Sequence, residues 1–292
     1  MDVSEPEERA KLFGYAGAAL GLGFIFGPAL GGLLGEYWVR LPFIVAGVLI
    51  FAVFLIGYFT FPETLKDENR RDFSLARANP LGSLISIGRH PAVLIVLAAL
   101  FLIQLGNHSY SSIWSFYVTA VAGWTPFFIG LSICVYGFGV AGVQGGLTGP
   151  VVSKLGGVRA IYFAMVIGVI SFLVLAFAQN GPQIYMAIAI GVFAGFLGPA
   201  IQSLMTERVP ADSQGELQGA ITSLYSLASI ISPAVMAFIF TAQTDDTGPY
   251  LPGAPILLAA ALTVLALIIF IYGAKKLGDR VTRTEADAQP ID

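Results

Sequence analysis

The chain has 292 residues, 56% of them hydrophobic and only 11% charged, with a formal net charge of −3. Soluble globular domains carry about 25% charged residues, so this composition excludes an ordinary soluble fold, while the small net charge says little about partners. The single cysteine, Cys134, sits in an apolar stretch, which excludes an intrachain disulfide and leaves no Cys/His spacing for a metal; no cofactor is implied.

The N-terminal segment Met1 to Lys11 is acidic and polar and lacks the apolar core of a signal peptide. Beyond it the chain alternates between long apolar runs and short polar breaks. A membrane-crossing helix needs about 20 mostly apolar residues. Eight such runs are predicted: Leu12–Gly35, Val39–Phe61, Ala92–Thr119, Phe127–Thr148, Ala160–Ala178, Ile184–Met205, Leu217–Ala242 and Ala254–Gly273. Helices are expected because hydrocarbon cannot satisfy open backbone groups, and the runs are too long and too uniformly apolar for barrel strands. The fold class is therefore all-α and polytopic, with eight transmembrane helices.

Most connections are short and carry Pro, Gly or Asn, as in Asn180-Gly181-Pro182. The long charged segment 62–91 is the exception and is expected to link two helical bodies, 1–61 and the six-helix bundle 92–273. Within it, Leu81, Leu84 and Ile85 beside Arg77 and Arg89 suggest a short interfacial helix. Residues 274–292 form a terminal tail.

Positive residues set the orientation. Arg9 and Lys11 precede the first span. Lys66, Arg70, Arg71, Arg77 and Arg89 lie in the linker, and Lys154, Arg159 and Arg208 in two later loops. Lys275, Lys276, Arg280 and Arg283 follow the last span. With eight crossings, all of these fall on one side and only Arg40 on the other, where Glu36, Asp245 and Asp246 also lie. Both termini and the linker are expected in the cytoplasm of a cell whose inner (plasma) membrane holds the chain.

The first span contains Gly23-Phe-Ile-Phe-Gly27-Pro28-Ala-Leu-Gly31-Gly32. Glycines every four residues make a smooth ridge that another helix backbone can approach, and Pro28 removes a hydrogen bond and can kink the helix. A generic packing face would need neither the proline nor the glycine pair. The pattern G-x-x-x-G-P-x-x-G-G resembles the antiporter motif in the fifth helix of major facilitator superfamily exporters. Its positions here are Gly23, Gly27, Pro28, Gly31 and Gly32.

Other segments fall into the same register. Pro62-Glu63-Thr64-Leu65 resembles the end of that family's sixth helix. Gly149, Lys154, Gly156, Gly157 and Arg159 resemble its helix eight–nine loop motif, with Ser153 at the acidic position. Gln214-Gly215-Glu216-Leu217-Gln218-Gly219 and Ser232-Pro233 resemble the approach to helix eleven and that helix. Gly198-Pro199-Ala200-Ile201-Gln202 and Gln104 to Trp114 are most similar to the tetracycline-exporter branch. The resemblance implies a drug:proton antiporter of which the chain holds helices five to twelve of twelve. Residues 1–61 would then be a two-helix remnant of the N-terminal half. It also implies departures: Val140 stands at the branch's helix-eight histidine and Gly168 at its helix-nine aspartate, whereas Gln144 matches.

Polar residues inside the spans make a separate argument. Gln104, Asn107, His108, Ser111 and Ser115 fall mostly on one helical face of the third span, and Gln218, Thr222, Ser226 and Ser229 make a similar stripe on the seventh. His108 is the only ionisable side chain deep in a span, and such groups are costly and often functional. A histidine bonded to Asn107 or to a neighbouring helix would serve equally as structure. The expected substrate-contacting set is Gln104, Asn107, His108 and Ser111 with Gln202 of the sixth span. The glycine ridge of the first span is expected to pack on Gly139, Gly142 and Gly146 of the fourth.

An enzyme is not expected, since no Asp or Glu lies within a span, Cys134 has no neighbouring base and no HExxH is present. The reading is export of a small amphipathic drug such as tetracycline, driven by proton exchange, by the full twelve-helix protein; the partners are that small molecule, protons and the lipid bilayer, with no nucleic acid. The alternative is a truncated, non-transporting fragment or a membrane partner of a full-length transporter.

Overall fold

A computed structural model describes residues 9–60, 91–206, 209, 214–245 and 249–287. Its helices are α1 (Arg9–Tyr37), α2 (Leu41–Thr60), α3 (Pro91–Ala122), α4 (Pro126–Gly146), α5 (Thr148–Leu155), α6 (Gly157–Ala176), α7 (Gly181–Val192), α8 (Leu197–Thr206), α9 (Gln214–Thr244) and α10 (Ala254–Asp287). Among the described residues, seven stretches are long and apolar enough to cross a membrane: α2, α3, α4, α6, α7 with α8, α9 and the first 20 residues of α10. The remaining predicted span, the first, Leu12–Gly35, falls within the continuous helix α1. The side chains of most of its first half lie outside the described residues, as do the interfacial helix predicted near Leu84 and nearly all of the linker 62–91. The count of seven is that of the described residues.

The chain divides into two units. The first holds α1, α2 and the start of α4. There, α1 and α4 approach at backbone distance. A methyl on Gly32 would lie 3.1 Å from the Gly130 Cα and overlap the Pro126 carbonyl, and one on Gly130 would overlap the Pro28 carbonyl. A methyl on Gly137 would lie 2.9 Å from Ile25, and Phe26 meets Phe138 edge to face at 5.6 Å. The Phe127 N–H donates to Glu36 Oε2 at 3.3 Å.

Within the first unit, the close approach of α1 to α4 uses Gly32 and not Gly23, Gly27 or Gly31. Methyls on Gly23, Gly27, Gly31, Gly142 and Gly146 would meet nothing within 4 Å, and one on Gly139 would meet Val192 of α7 instead. The reason is geometric: each four-residue step advances about 40° around a helix, so a pure i+4 ridge drifts off the contact line. Ile25, Pro28, Gly32 and Gly35 alternate steps of three and four, and stay on one line.

The second unit is a bundle of α3, the end of α4 and α5 to α10. Its core joins Val96, Leu100 and Ile103 of α3, Ile161 and Met165 of α6, Ile201 and Leu204 of α8, Leu217 and Ile221 of α9, and Ala266 and Phe270 of α10. Small residues set the helix spacing: a methyl on Gly106 of α3 would lie 3.2 Å from the Ala259 carbonyl oxygen of α10, and one on Gly191 of α7 would lie 2.7 Å from Ser171 Oγ of α6. Polar groups fasten the same seams. Ser232 Oγ of α9 donates to the Leu105 carbonyl of α3 at 2.8 Å, Ser171 Oγ to the Ala187 carbonyl at 2.9 Å, and the buried Tyr117 hydroxyl to the Leu175 carbonyl. Every buried side-chain nitrogen and oxygen among the described residues has a partner, as hydrocarbon demands.

Two local features differ from expectation. The loop expected before Ala160 contains the short helix α5, which packs Val151 and Val152 on the core while Ser153 and Lys154 stay exposed. The sixth predicted span, Ile184–Met205, is broken into α7 and α8 across Phe193–Phe196. Its start is fixed as read: Asn180 Oδ1 accepts from the Gln183 N–H at 3.1 Å with Pro182 in the first turn.

Candidate functional site

The 30-residue span of α3 has two distinct sides. Ile103, Gly106, Ser109, Ile113, Trp114 and Tyr117 are buried against the bundle. Asn107, Ser111 and Ser115 are exposed, with Gln104 and His108 half-buried beside them. The polar face predicted from spacing is therefore the face that the unit's own helices leave uncovered. It carries local bonds: Asn107 Nδ2 donates to Gln104 Oε1 at 3.3 Å, His108 Nδ1 and Ser111 Oγ lie 3.3 Å apart, and Ser111 Oγ donates to the His108 carbonyl at 3.1 Å. These bonds leave the Gln104 amide hydrogens, the Asn107 carbonyl oxygen and His108 Nε2 without partners among the described residues.

The magnitudes weigh against lipid as the neighbour of this face. An amide moved from water into pure hydrocarbon without a partner costs about 4–8 kcal/mol, whereas an interhelical hydrogen bond inside a membrane returns about 0.6 kcal/mol on average. The stripe needs water, a polar ligand or another polar surface along it.

Gln202 stands elsewhere in the unit. It lines an open groove of about 550 Å³ with Gly198, Pro199, Ser203 and Thr206 of α8 and Tyr225 of α9. Gln202 Nε2 donates to Gln218 Oε1 of α9 at 3.4 Å, which links the groove to the second polar stripe. On that stripe Thr222 and Ser226 spend their hydroxyl protons on carbonyls four residues back, at 2.9 and 3.0 Å, but keep their lone pairs. The structure thus brings Gln104, Asn107, His108 and Ser111 together on α3. It places Gln202 with Gln218 and Tyr225, and none of the α3 four lines that groove. Tyr225 and Ser203 were not singled out by spacing; both line the groove beside Gln202. The groove wall has amide, hydroxyl and ring surface and no formal charge, so it suits an uncharged, hydrogen-bonding, partly aromatic molecule. Among the described residues no cluster of His, Cys, Asp or Glu could hold a metal.

The profile of the Major Facilitator Superfamily matches residues 1–233. The chain is 31% identical to the class C tetracycline resistance protein of Escherichia coli, over 94% of this chain and 68% of that protein. It belongs to the major facilitator superfamily. The class G tetracycline resistance protein of Vibrio anguillarum is 33% identical, over 82% of this chain and 61% of that protein. These matches place the chain on the tetracycline-exporter-like branch. The crystal structure of the human organic anion transporter MFSD10 (TETRAN) superposes with a TM-score of 0.57 at 22% identity, covering 92% of this chain and 65% of that one. The fold of this major facilitator chain is accordingly that of a transporter, and it is a multi-pass membrane protein rather than an enzyme. It spans about two thirds of the length of the relatives it matches.

Proposed function

We propose that this chain forms the greater part of a proton-coupled exporter of small amphipathic drugs such as tetracycline, seated in the inner membrane. The observation that carries the reading is the polar face of α3, left open by its own unit in a chain of the tetracycline branch. Gln104, Asn107, His108 and Ser111 on that face, with Gln202 in the neighbouring groove, are the groups assigned to substrate. His108 is the one His, Asp, Glu, Lys or Arg side chain away from the ends of the described spans, which is why it stands in that set. Residues 1–61 supply two helices of the N-terminal half, 62–91 the cytoplasmic linker, 92–273 the C-terminal bundle and 274–292 a cytoplasmic tail. The remaining third of the relatives' length is assigned to helices that wall off the open face, which converts a groove into an alternating-access cavity.

The test is tetracycline uptake into everted vesicles from a susceptible host. A version extended upstream by the family's first helices is expected to take up drug in a protonophore-sensitive way, and the 292-residue chain alone is not. Membrane-inserted extended protein that moves no tetracycline contradicts the reading and favours a non-transporting membrane partner.

A further inference from the structure

The break between α7 and α8 has a definite cause. In a continuous helix the carbonyl of residue 195 would accept the N–H of residue 199, but residue 199 is proline and has none. The backbone tightens ahead of it: Phe193, Ala194, Gly195 and Leu197 donate to carbonyls three residues back, at 3.1, 3.0, 2.9 and 3.0 Å. Such three-residue turns inside a long helix mark hinges or strain. The Gly195 carbonyl, robbed of its helical donor at membrane depth, must find another. It finds Gln144 of α4, whose Nε2 donates to it at 2.9 Å across 51 residues. Glycine suits the site, because a methyl on Gly195 would lie 2.9 Å from the Val192 carbonyl oxygen and 3.1 Å from Val140 of the same α4 turn. On the other side of the break, α8 carries five of the six residues that line the groove.

We propose that Gln144 is a positioning residue: its side-chain amide stands in for the donor that Pro199 lacks, holds the Phe193–Phe196 break, and so sets where the groove wall of Gly198, Gln202 and Ser203 lies. The two features are complementary in sequence as well as in space, a proline that orphans a carbonyl and a glutamine that reaches it. The consequence for binding rests on the function proposed above; the consequence for the break does not.

The test uses the full chain in detergent, comparing the wild type with Gln144→Met, which keeps length and loses the donor, and Gln144→His, which restores an N–H at similar reach. Hydrogen exchange of the amides of residues 193–202 is expected to speed about three- to tenfold in Gln144→Met, the range spanned by one hydrogen bond, and to return toward wild type in Gln144→His. Exchange in α6 and α10 stays unchanged. Tetracycline affinity, read by equilibrium dialysis, is expected to fall in the Met variant and recover in the His variant. Wild-type exchange in Gln144→Met, or equal acceleration in both variants, overturns the proposal. Read in the upstream-extended protein, tetracycline binding that is undiminished in Gln144→Met overturns the positioning of the groove, whereas an extended wild type that binds no tetracycline counts against the proposed function and leaves exchange to decide the role of Gln144.

Discussion

At the scale of single residues, polar side chains of the bundle divide into fasteners and candidates for binding. Ser232, Ser171 and Tyr117 are buried and donate to carbonyls of neighbouring helices, which leaves them little to offer a ligand. Ser232→Ala is therefore expected to destabilise the bundle by about 0.6–1.7 kcal/mol, the measured span for membrane hydrogen bonds, with drug affinity unchanged; thermal unfolding and binding on one preparation check both. Gln104 and His108 keep donor or acceptor capacity facing outward. In the upstream-extended protein, Gln104→Ala or His108→Ala is expected to cut tetracycline export severalfold at equal membrane abundance, and normal export by both would remove them from the substrate set. The α3 stripe was legible in sequence because polar residues three and four apart are conspicuous in an apolar run. The surroundings of Gln202 were not, because Gln218 and Tyr225 lie on another helix, α9, and reach it only in the folded unit.

At the scale of elements, glycine spacing misled and proline spacing was under-read. The i+4 repeat of Gly23, Gly27 and Gly31 is the more visible pattern, yet the close approach uses Gly32 and Gly130. Gly130→Ala should push α1 and α4 apart, since its methyl would overlap the Pro28 carbonyl. Overpacking costs about 1–3 kcal/mol, so a lowered thermal midpoint and loss of an engineered Ile25–Gly137 disulfide are expected. Gly27→Ala should leave both unchanged in the isolated chain. Seven of the predicted spans match membrane-length stretches among the described residues in order and in approximate bounds, because about 20 apolar residues is a strong signal. The division of the sixth span was missed because Pro199 inside an apolar run marks a continuous kinked helix as readily as a broken one. The distinction depends on Gln144, which lies 51 residues before Gly195.

At the scale of the whole molecule, the segregation of Lys and Arg gives the orientation a test of its own. With both termini cytoplasmic, Asp245→Cys in a Cys134→Ser background is expected to react with an impermeant maleimide on intact cells. Asn69→Cys is expected to react only after permeabilisation, and the reverse pattern would invert the topology. Membership of the superfamily was legible from the motif around Pro28 and from Gln214–Gly219, and the match over residues 1–233 agrees with it. The account as a whole depends on what the open face of α3 touches. The most direct measurement is the maleimide reactivity of Ser111→Cys in the upstream-extended, Cys134→Ser protein, with Ile170→Cys on the exposed apolar side of α6 as the lipid-facing reference. The account predicts that the cysteine at 111 reacts much faster than the one at 170 and that tetracycline slows it. Equal, slow labelling at both positions, or labelling at 111 that tetracycline does not affect, would contradict it.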